Sequence, residues 1–147
     1  MVGTEAALSS HGQPVDSDCP YQPSTPAAAW KPPKGLAVFR RRSRKAAADF
    51  AAIEGAIKAG HVPVLGIALP VDFHTPSPPW VLPSDGTNLG LHAIAGVGLG
   101  SIGAKRFILV RNSWGITWGD RGHAWIDHRF VRSQVKEVLV LTTEVVP

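Results

Sequence analysis

Two runs decide the reading of this chain: His92-Ala-Ile-Ala-Gly-Val-Gly-Leu99, and Phe107-Ile-Leu-Val-Arg-Asn112, which leads directly into Ser113-Trp114-Gly115. Both are short, apolar and rich in β-branched residues, and the segment between them carries Gly100 and Gly103, so they read as an antiparallel pair of strands over Ala93–Leu99 and Phe107–Asn112 joined by a turn. An antiparallel pair brings the residue before the first strand and the residue closing the second to the same end, here an imidazole and a carboxamide. If the Asn112 amide oxygen accepts the proton on one ring nitrogen of His92, the ring is oriented and its other nitrogen faces outward as a base or, once protonated, as a cation. Trp114 is large enough to cover that hydrogen bond and keep water from competing with it.

Outward from this pair, the periodicity changes. Leu36–Arg42 reads as a strand that leads to a helix over Arg44–Ala59, with Ser43 as its cap, Phe50, Ile53 and Ile57 on one face and Gly60 as its stop. His61–Leu69 and Val135–Val145 read as further strands. The prolines together with Ser84, Asp85 and Gly86 mark residues 70–88 as a surface loop beside a cleft, with Trp80 as a lining candidate. Before all of this, residues 1–34 are rich in Ala, Ser and Pro, with a short helix expected around Glu5–Ser9 and ended by Gly12. Tyr21 and Trp30 give this extended arm large surfaces with which to pack on the domain of residues 35–147. One helical period among several β runs predicts an α+β fold, an antiparallel sheet or partial barrel with one main helix.

Composition narrows the functional classes. The chain has 147 residues, of which 44% are hydrophobic and 18% charged, a balance that fits one soluble globular domain. Its most apolar stretch, Val62–Val71, is interrupted by Pro63 and closed by Pro70, well short of the ~20 residues a membrane helix needs. No basic-then-apolar leader opens the chain, so the default expectation is a cytoplasmic protein. A single cysteine, Cys19, excludes an internal disulfide and a multi-cysteine metal site. The net charge of +4 owes much to Arg40, Arg41, Arg42, Arg44 and Lys45. That cluster reads first as a solvated face, with no aromatic RNA motif beside it; nucleic-acid binding and a docking patch for an acidic partner are the lesser readings, and a nucleic-acid binder ranks last among the functions. His123 and His128 lack a third suitably spaced ligand and His11, His61 and His74 carry no motif, so no metal is expected.

Asn112-Ser113-Trp114-Gly115 followed by Trp118-Gly119 and Gly122 resembles the asparagine motif of papain-like cysteine peptidases, and His92-Ala93-Ile94 resembles their histidine motif. Gln13-Pro14, Cys19-Pro20-Tyr21, the helix ending at Gly60 and Pro63-Val64 recur in the second, β-rich half of that family in the same order. The resemblance implies that His92 is the catalytic base and Asn112 the residue that orients it, with Trp114 and Trp118 in support, no cofactor, and a peptide or protein as substrate. It also implies a nucleophilic cysteine at the start of a long helix and an oxyanion-hole glutamine before it, and neither segment is found in this sequence. Cys19 does not replace the nucleophile, because it precedes Pro20 in a proline-rich arm with no helix after it to stabilise a thiolate. Leu91 stands where a glycine usually precedes the histidine, and His123 where a tyrosine usually follows the glycine. Two functions follow: half of a peptidase, inactive alone and completed by a helical domain bearing the Cys and Gln, or a non-catalytic module whose cleft binds a peptide or protein.

Overall fold

A computed structural model describes residues 5–20 and 34–145. The chain divides into two units, Met1–Ser43 with Thr142–Pro147, and Arg44–Leu141. A six-stranded sheet has the order β1-β6-β2-β3-β4-β5. Its strands are β1 (Arg40–Ala46), β2 (Val62–Pro70), β3 (Asn88–Ile102), β4 (Lys105–Arg111), β5 (His123–Ile126) and β6 (Val135–Val145). The β2–β3, β2–β6, β3–β4 and β4–β5 pairs are all antiparallel. This is the expected α+β architecture, with a mostly antiparallel open sheet.

In the larger unit, alternation along the strands puts Leu65, Ile67, Ile94, Ile108, Val110, Ala124, Ile126, Val138 and Val140 on one buried face. Helix α1 (Phe50–Lys58) and helix α2 (His128–Gln134) cover that face with Phe50, Ile53, Ala56, Phe130 and Val131. The helix expected from Arg44 starts six residues later. The strand expected to end at Arg42 runs on through Ala46, which places Ser43 inside β1, and the cap is Asp49, whose carboxylate accepts from the Ala52 amide at 2.8 Å. At the other end Gly60, at φ +77°, closes α1 as predicted: its amide donates to the Ile57 carbonyl and that of His61 to Ala56, both at 3.0 Å.

Strand β5 and helix α2 were not anticipated. β5 is only four residues long, too short for its alternation to stand out, and α2 is one tight run capped by Asp127, whose carboxylate accepts from the Arg129 and Phe130 amides at 2.9 and 3.0 Å. The loop after β2 includes a short 3-10 turn at Val71–Phe73. Trp80 is in none of the ring contacts around His92 among the described residues; its carbonyl accepts from the Trp125 amide and the Leu82 amide donates to the Trp125 carbonyl, so the segment shields the free edge of β5. β1 is the opposite edge, and its arginines and lysine give that edge the charge that discourages strand-to-strand aggregation.

In the smaller unit, a wide π-type turn at Ala7–His11 ends at Gly12, close to the expected helix. Gln13 pairs with Phe39 through two backbone hydrogen bonds, and Thr142 Oγ1 donates to the Arg42 carbonyl at 3.2 Å. The burial expected of Tyr21 and Trp30 lies outside the described residues.

Candidate active site

β3 and β4 meet through a two-residue turn, Ile102 facing Lys105, in which Gly103 takes φ +58°. The register then shifts by one: Gly98 faces Leu109, whereas Gly96 faces Val110, so Val97 is an extra residue bulged out of β3. From there Ala95 faces Arg111, and His92 and Asn112 emerge at the same end of the pair. His92 Nε2 and Asn112 Oδ1 are 2.8 Å apart.

The chemistry of this contact is set by a third group. The Ser113 amide points at the same Oδ1 at 2.8 Å, and a backbone N–H can only donate. The atom facing His92 is therefore the carbonyl oxygen, so Nε2 carries the proton and donates it. Nδ1 takes no part in this contact and carries a lone pair in the neutral ring and an N–H in the imidazolium. Asn112 is 5% exposed, and its backbone N–H donates to the Gly122 carbonyl at 2.9 Å, which ties the residue to the turn before β5.

Aromatic rings enclose the pair. Trp114 lies tilted over His92 with centroids 4.9 Å apart, and Phe73 meets the same imidazole edge-on at 5.7 Å. Trp118 is buried; it packs on Phe73 at 4.9 Å, and its indole Nε1 donates to the Phe73 carbonyl at 2.7 Å. The four site residues read from the sequence, His92, Asn112, Trp114 and Trp118, thus belong to one cluster. Phe73 was missed, although it is the one large apolar side chain between Asp72 and His74 in a polar, proline-rich loop. His74, read as motif-free, is exposed and stacks on the outer side of Trp114 at 5.0 Å.

The remaining candidates fall elsewhere. Leu91 is 83% exposed, so its side chain leaves the His92 environment free. His123 sets Nδ1 against the Arg121 carbonyl at 3.0 Å, and His128 stacks on Phe50 at 3.8 Å; both imidazoles are engaged structurally. Cys19 sits half-buried at the end of a turn in which its amide and that of Asp18 both donate back to the Val15 carbonyl.

The comparison with known families settles the relationship: the model of the papain family cysteine protease matches residues 5–143. This chain belongs to the papain family of cysteine proteases. Among curated relatives, the probable cysteine protease RDL6 of Arabidopsis thaliana is 51% identical over 45 residues, 31% of this chain and 12% of that protein. Chymopapain of Carica papaya is 39% identical over 49 residues, 33% of this chain and 14% of chymopapain. Among solved structures, xylellain, a cysteine protease from Xylella fastidiosa, superposes with a TM-score of 0.72 at 20% identity, over 93% of this chain and 59% of xylellain. The clostridial cysteine protease Cwp84 after propeptide cleavage gives 0.75 at 17% identity, over 99% of this chain and 41% of that one. The chain therefore spans about half the length of these structural relatives. No helix among the described residues is long and apolar enough to cross a membrane.

Proposed function

We propose that this chain supplies the base-bearing half of a cysteine peptidase site and that it hydrolyses peptide bonds only together with a helical domain carrying the thiol and the oxyanion glutamine. The observation that carries this reading is the 2.8 Å contact from His92 Nε2 to an amide oxygen whose identity the Ser113 N–H fixes. That arrangement presents Nδ1, and only Nδ1, to a reacting group.

In the assembled site His92 takes the thiol proton at Nδ1, giving a thiolate–imidazolium pair. The thiolate sulfur attacks the substrate carbonyl carbon. As the tetrahedral adduct collapses to a thioester, the C–N bond breaks and Nδ1–H protonates the departing amine. Neutral His92 then removes a proton from water as the water oxygen attacks the thioester, and the thiol leaves with that proton. Asn112 holds the ring plane through both half-reactions, and Trp114 keeps water away from the Nε2–Oδ1 bond.

The test mixes the purified chain with a separately produced helical domain bearing the family's Gln and Cys motifs, and follows hydrolysis of a peptide substrate. Activity is expected in the mixture, none from the chain alone, near-complete loss with His92→Ala, and a smaller loss with Asn112→Ala, where orientation goes but the base remains. Cleavage by the chain alone that disappears with Cys19→Ala overturns the proposal. Tight binding of the two parts with no hydrolysis favours the non-catalytic binding module.

A further inference from the structure

Two consecutive residues, Phe73 and His74, reach Trp114 from different directions. Phe73 is fully buried, closes the 3-10 turn of Val71–Phe73, and has its carbonyl held by the Trp118 indole at 2.7 Å. His74 follows in helical backbone conformation, with its amide donating to the Val71 carbonyl at 3.3 Å, so a residue anchored in the core sets where its side chain begins. The Phe73 ring meets the Trp114 indole edge-on, with centroids 5.5 Å apart and planes at 88°. The His74 imidazole lies nearly parallel to the indole, at 5.0 Å and 23°. Trp118 adds a second edge-on contact at 6.4 Å and 84°.

Trp114 depends on these rings for its place. It is 38% exposed, and its indole N–H makes no hydrogen bond among the described residues, so ring contacts hold it over His92 at 4.9 Å. The His74 imidazole is exposed and has no hydrogen-bonding or ion-pair partner among the described residues; the stacking on Trp114 is what orders it. His74 and His92 are not in ring contact with each other among the described residues, so an effect of one on the other passes through the indole. We infer that His74 is a positioning residue of the site: its ring backs the Trp114 indole and keeps it closed over the His92–Asn112 hydrogen bond. A stacked ring pair biases such an opening equilibrium about two- to tenfold. In the open form water reaches the His92 Nε2–H and competes with Asn112 for it. A flat ring at residue 74 suffices for this; an aliphatic side chain does not.

This role deepens the proposed function and rests on it for the reaction served, but its first test needs no hydrolysis. In the 15N-labelled chain by itself, NMR follows the exchange of the His92 Nε2–H with water. His74→Ala should speed that exchange about two- to tenfold, His74→Phe should restore the wild-type rate, and His74→Leu should not. Trp114→Leu should speed it alone, and adding His74→Ala to that variant should change it no further, because the two residues act in series. An unchanged rate in His74→Ala, equal rates in His74→Phe and His74→Leu, or a further increase on top of Trp114→Leu overturns the inference. Urea midpoints of the His74 variants should match the wild type, since the ring is exposed; midpoints that fall in step with faster exchange point to loss of the turn and overturn it as well. Mixed with the helical domain, His74→Ala should lower kcat by a similar factor with KM unchanged, and a rise in KM alone counts against the inference. Exchange that follows His74 in a chain that never yields hydrolysis leaves the positioning role standing and rejects the peptidase reading; hydrolysis with exchange indifferent to His74 does the reverse.

Discussion

Replacing Trp118 by phenylalanine removes the donor that satisfies the buried Phe73 carbonyl and shrinks the ring that packs on Phe73. The indole hydrogen bond is 2.7 Å long and Trp118 is 5% exposed, so water does not take the donor's place. An orphaned buried carbonyl costs about 1–3 kcal/mol. The space vacated by the smaller ring, roughly 40 Å3, adds about 1 kcal/mol at the usual cavity coefficient. The sum, about 2–4 kcal/mol, is a large share of the roughly 5–15 kcal/mol that holds a domain together, and it corresponds to a drop in Tm of about 6–12 °C. Urea denaturation followed by far-UV circular dichroism measures it, provided the m-value is unchanged. Trp114→Phe is the control: Trp114 is 38% exposed and makes no hydrogen bond through its indole among the described residues, so it should cost less than half as much. The same variant should loosen Phe73 against His92, which broadens the His92 ring resonances. A Trp118→Phe shift below about 0.5 kcal/mol, or one no larger than that of Trp114→Phe, refutes the view that this hydrogen bond anchors the aromatic wall.

Gly119 takes φ +57° and a methyl group on it would drive into the His123 carbonyl, so Gly119→Ala should cost more than about 2 kcal/mol or prevent folding, by the same urea assay. Gly103, at φ +58° with open space around it, carries only the backbone strain, and Gly103→Ala should cost about 1 kcal/mol. Asp127→Ala removes the α2 cap at about 1–2 kcal/mol near neutral pH. Burial pulls the Asp127 carboxyl upward, but the Phe130 amide and the Arg129 guanidinium and amide together hold it below the ordinary aspartate range. Its folded pKa is thus the lower one, so its contribution is full above the unfolded value and is lost as pH falls through the folded one. The stability gap between wild type and Asp127→Ala should accordingly close in acid, and a gap that persists there would contradict this account.

Local signals in the sequence carried much of the fold. The end of α1 was legible because Gly60 has one physical use at that place, whereas its start was not. Arg44, Lys45 and Ala46 are good helix formers, and only the pairing available along the sheet edge turns them into β1. Asp49, the cap, stands directly before Phe50, the first residue of the apolar stripe. β5 and α2 escaped for different reasons. Four residues cannot display a period, and His128-Arg-Phe-Val-Arg-Ser-Gln134 shows only two turns of one.

The site residues were legible as a set, but a straight hairpin does not bring them together. Counting from the turn, where Ile102 faces Lys105, an unbroken register would set Asn112 opposite Ala95 and hence on the face of the sheet away from His92. The extra residue at Val97 moves the pairing by one, so that Arg111 faces Ala95 and Asn112 turns to the side of His92. Glycines flank the bulge at both Gly96 and Gly98, and the first has its own constraint, since a side chain there would press on the Pro63 ring at 3.0 Å. The glycine-rich spelling of β3, which lowers its strand propensity, thus permits the one-residue slip that sets imidazole and carboxamide on the same side. The backbone N–H of Ser113 then decides which atom of that carboxamide the imidazole meets. The face and polarity of the His92–Asn112 contact are therefore written in main-chain pairing, one step beyond the side chains that make it.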